Sequence, residues 1–318
     1  MNHHQQVREF FSTQRREHKT RHREIAEKLN MSEAELIAAH TDNTDVDSLL
    51  LATSLVPKWH AILSASQSFG EVMALTRNAS CVHEIIGNYP HADDDGNDGF
   101  LRGQHIDLRS HYSKWAFGFA VAENTGQGVQ HSLQFFDLTG TAIHKIFLRP
   151  QSKLSAYTAL VNTFASHQHV VTDHSVAQGA LIETNKDDDI QIDHAQCLSI
   201  LLVVAQKLIP VSITVDNLGM SQTFKGTINK VVPMGPWINV LDSGFNLHLR
   251  TDQIASSRLT KQTSSAGTAV SIELFDQNLQ KILQMSELRQ AEEKRSDAWQ
   301  NLLVKLEHGE RGESLCAA

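Results

Sequence analysis

Several features that assign a chain to a familiar class are scarce or missing here. The three cysteines (Cys81, Cys197 and Cys316) are widely spaced and odd in number, so the sequence predicts neither a disulfide framework nor a zinc-binding pattern. The N-terminus lacks the apolar core of a signal peptide. The longest apolar run, residues 197–205, is too short to span a bilayer. We therefore expect a cytoplasmic protein without membrane insertion.

A basic excess is also missing, since the net charge is −8 at pH 7. General nucleic-acid binders normally carry a basic excess, so the charge argues against that class. Residues 24–39 nevertheless have the rhythm of a helix-turn-helix unit, and Ser32 followed by Glu33 and Glu35 predicts a capped helix start. Many helical pairs show this rhythm without contacting DNA. We interpret residues 1–49 as an N-terminal helical segment that packs on the first domain, and DNA binding as the minor alternative.

Residues 71–89 read as two short apolar runs joined by a polar turn, which is typical of an antiparallel hairpin. The same pattern returns 139 residues later, and segment 132–137 returns at that offset as 271–276. A constant offset over several segments indicates an internal duplication. Matched pairs within the hairpin are Asn78 and Asn217, Cys81 and Met220, His83 and Gln222, and Gly87 and Gly226.

The duplication fixes the predicted organisation of the chain. We expect an α+β protein, a tandem duplication of a domain built on an antiparallel sheet with flanking helices, preceded by N-terminal helices. Repeat one covers residues 50–168 and repeat two covers 194–308, with a connector at 169–193 and a tail at 309–318. Residues 88–99, with their acidic run, are predicted to form a solvated loop.

Four segments resemble a known family: ALTRNASCVHEIIGNY, HIDLRSHYSKWA, HSLQFFDLTGTAIHKIF and MGPWINVLDSGFNLHLR. They are similar to the bacterial haem-utilisation proteins of the HemS/ChuS/HmuS family, the haemin-degrading factors. The resemblance implies a duplicated sheet fold, cytoplasmic haem binding for trafficking and iron acquisition, and, in some members, oxidative opening of haem with an external electron donor. Haem is the implied cofactor, and a haem-uptake transporter or a haem oxygenase is the implied protein partner of a monomer or dimer.

The resemblance also implies a set of haem-contacting residues. His83 matches a proposed iron ligand, and Arg109 matches an arginine that faces haem from the first half. Lys261 and Arg289 match basic residues near haem in the second half. These residue types suit the chemistry, because imidazole nitrogen binds ferric iron and cationic side chains pair with propionates.

The chain departs from the family between the repeats. Only about thirty residues join Phe164 to Leu198, whereas the family carries a longer segment with a helix that supplies the main axial histidine. His194 is the nearest candidate for that role, and the start of a helix is its alternative. His83 has an alternative too, a strand histidine hydrogen-bonded to a neighbour. The competing function is a haem-free regulator or interaction protein that kept the fold and lost the axial-ligand helix.

Overall fold

The computed structural model describes residues 3–43, 45, 47–92, 98–167, 172–173, 190–191, 194–264, 267–288 and 297–307. Its helices are α1 (His3–His18), α2 (His22–Lys28), α3 (Glu33–Ala38), α4 (Trp59–Ser66), α5 (Leu154–Phe164), α6 (His194–Gln206) and α7 (Asp297–Glu307). The strands of the first repeat are β1 (Leu50–Ser54), β2 (Glu71–Arg77), β3 (Cys81–Asn88), β4 (His91–Ala92), β5 (Asp98–Arg102), β6 (Asp107–His111), β7 (Phe117–Asn124), β8 (Val129–Phe136) and β9 (Ala142–Leu148). They are followed by β10 (Ile190–Gln191), β11 (Val211–Asp216), β12 (Met220–Gly226), β13 (Val231–Met234), β14 (Trp237–Leu241), β15 (Phe245–Arg250), β16 (Ser256–Ser264), β17 (Gly267–Phe275) and β18 (Lys281–Glu287).

The strands form two nine-stranded antiparallel sheets. Sheet one has the order β1-β7-β8-β9-β2-β3-β15-β14-β13, and sheet two has the order β10-β16-β17-β18-β11-β12-β6-β5-β4. The predicted α+β class and the duplication are confirmed. The repeats, however, exchange strands: β13–β15 of repeat two extend sheet one, and β4–β6 of repeat one extend sheet two. Each sheet therefore needs both halves of the sequence.

A pair of asparagines marks the point where the two repeats meet. The Nδ2 group of Asn78 donates to the carbonyl oxygens of Asp216 (3.2 Å) and Ile282 (2.8 Å). At the matching positions, the Nδ2 group of Asn217 donates to the carbonyl oxygens of Arg77 (2.9 Å) and Ile143 (2.8 Å). All of these partners are themselves related by the 139-residue offset, so the halves meet with approximate two-fold symmetry.

Strand alternation explains how the sheets pack. In β2 and β3 every second side chain is buried, as a half-covered strand requires. The inner faces of both sheets and the apolar sides of α4, α5, α6 and α7 contribute to one continuous hydrophobic core. We call the sheet face that points away from this core the outer face.

The N-terminal helices cover part of the outer face of sheet one. Val7, Phe11 and Ile37 pack there against Phe119 and Val121 in a second hydrophobic cluster. The start of α3 has the predicted cap, because the backbone N–H of Glu35 donates to Ser32 Oγ at 3.2 Å. Since α3 is largely buried, its side chains face sheet one rather than a nucleic acid, and the helices form a lid.

A buried carboxylate fixes this lid to the sheet. Glu33 on α3 forms ion pairs with Arg77 and Lys145. Burial alone would raise the pKa of Glu33, but Lys145 and Arg77 outweigh that effect and lower the pKa to about 2. The carboxylate is therefore ionised at neutral pH.

The segment predicted as a solvated loop at 88–99 is partly sheet. β4 begins at His91 and β5 begins at Asp98, while residues 93–97 lie outside the described residues. The sequence pattern did not reveal these two short strands, because the pairing of β5 with β6 and of β4 with β5 stabilises a segment of low intrinsic β-propensity.

Candidate functional site

His83, a predicted iron ligand, lies in the core between the two sheets. Its side chain is 0% exposed, and its ring packs edge-on against Phe245 with centroids 4.9 Å apart. Nε2 lies 3.2 Å from the carbonyl oxygen of Ile213, and Nδ1 lies 3.0 Å from Nε2 of Gln222. Both ring nitrogens are thus used by protein partners. This geometry argues against the predicted ligand role and favours the alternative, a structural histidine.

The hydrogen bonds around His83 belong to a chain that crosses the core. Tyr89 donates to His144 Nε2 (3.3 Å), and His144 Nδ1 donates to Thr76 Oγ1 (2.9 Å). Thr76 Oγ1 donates to Gln222 Oε1 (2.9 Å), and Gln222 Nε2 donates to His83 Nδ1. His83 then donates from Nε2 to Ile213. Each ring nitrogen has a defined role, so both imidazoles are neutral.

Burial lowers the pKa of His83 and of His144 to about 3, against a smaller opposing effect of a backbone hydrogen bond in each case. The protonated forms are disfavoured because the core offers them no solvation. The same environment gives His144 a structural role in the core. Gln222 occupies in repeat two the position that His83 occupies in repeat one. Its side-chain amide joins the two halves through hydrogen bonds to Thr76 and His83.

Of the three further predicted residues, Lys261 is the one whose side chain lies among the described residues. Lys261 on β16 is exposed, but the register across β17, β18, β11 and β12 places it on the opposite face of sheet two from Arg109. His194 begins α6, as its alternative predicted, and its side chain lies outside the described residues. Arg289 lies outside them altogether. Their predicted haem contacts stay predictions.

Arg109 lies on the outer face of sheet two, in an exchanged strand. Its guanidinium carbon is 5.4 Å from the centre of the Phe100 ring, and that of Arg102 is 4.9 Å from the same ring. Phe100 is 43% exposed, and both arginines are exposed. Among the described residues, neither arginine pairs with a carboxylate; the adjacent Asp107 pairs with Lys225. We call Phe100, Arg102 and Arg109 the cationic platform.

The register supplies the neighbours of the cationic platform. Arg109 stands opposite Phe100 on one side and Ser221 on the other. His91 stands opposite Arg102 on the edge strand β4, and His111 follows Arg109 on the same face of β6. The sequence analysis missed Phe100, Arg102, His91 and His111. The available signal was the alternation of apolar and polar residues in DGFLR and DLRSH.

The matching exchanged strands of sheet one carry a related pair with different electrostatics. The guanidinium carbon of Arg250, which lies two residues beyond the position that matches Arg109 in register, is 5.6 Å from the centre of the Trp237 ring. The Nε and Nη2 atoms of Arg250 donate to Asp252 at 3.0 and 2.6 Å. The hydrogen bond to Asp252 raises the pKa of Arg250. This arginine is therefore neutralised within the chain, whereas Arg109 is available to an external anion.

Four other aromatic residues are large enough to cover a porphyrin face, but three of them are buried or packed against other rings. Phe135 and Phe275 are fully buried. Phe224 stacks on Phe245 with ring centroids 3.9 Å apart on the inner side of sheet two. Trp237 is partly exposed on the outer face of sheet one, and it belongs to the neutralised pair.

A large cleft of about 1160 Å³ opens at the junction of α2, α3 and the central turns. Asn78 and Asn217 line it, together with charged residues such as Arg77 and Lys281. These cations already have carboxylate partners, since Arg77 pairs with Glu33 and Lys281 lies 3.5 Å from Asp216. Of the predicted haem residues whose side chains the structure describes, His83, Arg109 and Lys261 are absent from the lining of this cleft.

Comparisons with known proteins decide the family. The profile of the haemin-degrading HemS.ChuX domain matches residues 30–164 and again residues 176–306. The chain belongs to this haemin-degrading family. It is 30% identical to the hemin transport protein HmuS of Yersinia pestis, covering 89% of this chain and 92% of the relative. The hemin transport protein HemS of Yersinia enterocolitica is 29% identical over the same shares.

Solved structures of the haemin-degrading family share the fold. Holo-PhuS, a heme-binding protein from Pseudomonas aeruginosa, superposes with a TM-score of 0.84 at 28% identity, covering 94% of this chain and 98% of that one. The heme degrading enzyme ChuS of Escherichia coli O157:H7 gives a TM-score of 0.83 at 25% identity, with 95% and 99% covered. The arrangement of two sheets is therefore that of the family.

The residues on the outer face of sheet two fit a haem group. Haem offers carboxylates at one edge, a flat apolar ring and an iron that accepts a protein nitrogen. The guanidinium groups of Arg102 and Arg109, which have no carboxylate partner in the described part of the chain, suit the carboxylates, and the exposed Phe100 ring suits the porphyrin. Within the described ranges, the protein has no cluster of three His, Cys, Asp or Glu residues that could hold a bare metal ion. In the same ranges no helix is long and apolar enough to span a bilayer.

Proposed function

We propose that this protein binds haem on the outer face of sheet two, with the cationic platform as the main contact. The observation that carries the proposal is the contrast between Arg109 and Arg250 in equivalent exchanged strands. Arg109 and Arg102 share an exposed aromatic ring and have no carboxylate partner among the described residues. An arginine that stays unneutralised beside an aromatic ring favours a planar anionic ligand.

Membership of the haemin-degrading family supports the choice of haem among planar anions. Relatives named for hemin transport cover most of the chain, and PhuS is named as a heme-binding protein. A role in haem trafficking for iron acquisition inside the cell agrees both with the functions named for these relatives and with the cationic platform. A haem-uptake transporter would deliver haem and a haem oxygenase would receive it.

Titration of the full-length protein with haemin tests this proposal. We expect a shifted Soret band for the wild type. The double variant Arg102→Ala, Arg109→Ala should bind about tenfold to a hundredfold more weakly, because a hydrogen bond to a charged group contributes roughly 1.5–3 kcal/mol. Arg250→Ala is the matched control and should bind as the wild type does.

Two outcomes would contradict the proposal. A wild-type protein without a Soret shift does not bind haem, and the haem-free regulator then becomes the better description. Equal weakening in the Arg250→Ala control would place the ligand elsewhere than the cationic platform. Circular dichroism of each variant checks that the fold is retained.

Degradation of haem is the second candidate function. It is favoured by the relative ChuS, whose structures are described as a heme degrading enzyme and as a heme oxygenase at 25% and 26% identity. Adding ascorbate under air to the haemin complex separates the two functions. Bleaching of the Soret band to a bilin-like spectrum indicates an enzyme, and a stable band indicates a carrier.

A further inference from the structure

We infer that Lys225 is a positioning residue for the cationic platform, because it holds the carboxylate of Asp107 away from the two arginines. This inference rests on the proposed haem-binding function, and it concerns what keeps the guanidinium groups open to the carboxylates of haem. A carboxylate supplied by the protein would satisfy the same hydrogen-bond donors and compete with the ligand. Asp107 is placed to be that competitor.

Asp107 is a neighbour of both arginines on the outer face of sheet two. It stands directly opposite Arg102 in the pairing of β5 with β6. It also precedes Arg109 by two residues, and since Leu108 between them is buried, both point to the outer face. Opposite charges that stand directly opposite across two antiparallel strands attract each other, because their Cβ atoms are only about 4.5–5.5 Å apart. By its place in the strand pair, Arg102 is thus the expected partner of Asp107.

The observed partner of Asp107 is a different cation. Its carboxylate forms an ion pair with Lys225, which extends from β12 on the other side of β6. Thr223 is the residue of β12 that stands opposite Asp107, so Lys225, two residues further along, is a diagonal neighbour. The guanidinium group of Arg102 lies over the Phe100 ring instead. Lys225 therefore occupies the carboxylate that the opposite arginine would otherwise attract.

The ion pair is not repeated at the matching positions of sheet one. At the 139-residue offset, Asn246 corresponds to Asp107 and Ile86 corresponds to Lys225. These residues lie on β15 and β3, which pair with each other. In sheet one the arginine itself takes the carboxylate, since Arg250 pairs with Asp252. The pair of Asp107 with Lys225 thus accompanies the arginines that have no carboxylate partner among the described residues.

The exposure of the pair indicates where its removal should have an effect. The side chain of Lys225 is 51% exposed and that of Asp107 is 25% exposed. Ion pairs so accessible to water contribute little to folding stability, so substitutions here should leave the fold intact. An arginine can bind a carboxylate through two parallel hydrogen bonds. Once Lys225 is removed, Asp107 should therefore pair with a platform arginine and withdraw that cation from the ligand.

Haemin binding by full-length variants tests the inference. We expect Lys225→Met to weaken binding about three- to tenfold, because the released carboxylate neutralises one platform arginine. Lys225→Arg keeps a cationic partner for Asp107 and should restore wild-type binding. Asp107→Asn should bind at least as tightly as the wild type, and adding Lys225→Met to it should have no further effect. Lys230→Met removes an exposed lysine beside sheet one and is the matched control for the change in net charge.

The haem-free protein provides a second measurement. Nuclear magnetic resonance signals of arginine Nε–H groups respond to a new hydrogen bond with a carboxylate. In Lys225→Met, the signal of Arg102 or Arg109 should shift and its proton should exchange more slowly with water. The added substitution Asp107→Asn should abolish that change. A merely structural role of Lys225 would not move these signals.

The outcomes separate this inference from the proposed function. If the wild type shifts the Soret band and Lys225→Met binds haemin equally well, the inference fails and haem binding stands. The inference also fails if the loss persists when Asp107 is already asparagine, because Lys225 then contacts the ligand itself. Unchanged arginine signals in haem-free Lys225→Met overturn it as well. If the wild type shows no Soret shift, the proposed function fails and the inference fails with it.

Discussion

Each half of this protein carries an arginine on the outer face of its exchanged strand, Arg109 on β6 and Arg250 two residues beyond the matching register position on β15, but only the second half neutralises its arginine. Arg250 pairs with Asp252, while Arg109 shares Phe100 with Arg102. The backbone symmetry is nevertheless retained, as the reciprocal bonds of Asn78 and Asn217 show. Duplication thus preserved the framework, and the difference between the halves lies in the side chains on the exchanged strands.

The core also combines a symmetric backbone with side chains that differ between the two halves. His83 and Gln222 occupy equivalent positions and bind each other. Gln222 offers both a donor and an acceptor, so the chain of hydrogen bonds is continuous. The two repeats therefore differ in two ways that matter. The pairing of His83 with Gln222 joins the halves, and the absence of a carboxylate partner for Arg109 among the described residues leaves its cation open to an external anion.

The largest expected effect concerns the symmetric contact. Asn78→Ala and Asn217→Ala should each lower the free energy of unfolding by about 2–4 kcal/mol, because each removes two donated bonds and the acceptor of two turn N–H groups. Since the contacts match, the two losses should agree within about 1 kcal/mol. Urea unfolding of both variants measures this.

Unequal losses of unfolding free energy would show that the two asparagines do not contribute equally to the junction of the repeats. A cost confined to Asn78→Ala would mean that the first half alone holds the junction. Thr125→Ala, in the exposed hairpin between β7 and β8, provides a surface control and should change stability by about 0.5 kcal/mol or less.

The next prediction concerns the pH dependence of stability that the two core histidines of repeat one should cause. His83 and His144 belong to repeat one, and repeat two has Gln222 and Leu283 at the matching positions. The folded pKa of each histidine is about 3, below the ordinary value of 6.5. Between these values the unfolded state binds more protons, so stability is complete above about pH 6.5 and falls as the pH is lowered.

Each histidine should contribute up to about 1.4 kcal/mol per pH unit in that window. His144→Leu, which copies Leu283, should lower stability at pH 7 but reduce the slope between pH 6 and pH 5 by about one proton. Urea unfolding at several pH values measures the slope. An unchanged slope would show that His144 does not take up a proton on unfolding. Glu33 and Glu123, each with a pKa of about 2, affect stability only at lower pH.

Much of the fold could be predicted from the sequence, because strand alternation is a local pattern and the duplication is visible when segments 139 residues apart are compared. The exchange of β4–β6 and β13–β15 could not, since alternation reports which side chains share a face but not which sheet a strand joins. His83 lies in phase with the buried Cys81 and Ile85, so its pattern indicated burial, and the family resemblance outweighed that signal. Phe100 and Arg102 follow an acidic run that favoured a loop.

The smallest expected effect tests whether pairing with a carboxylate is by itself what distinguishes Arg250 from Arg109. Ser221 stands opposite Arg109, so Ser221→Asp would give Arg109 a carboxylate, as Asp252 does for Arg250. We expect haemin binding to weaken about five- to tenfold, a change of roughly 1 kcal/mol, and less so at high salt because exposed charges are screened. Ser221→Asn is the uncharged control. If both variants bind alike, the free charge of Arg109 is not what distinguishes the halves.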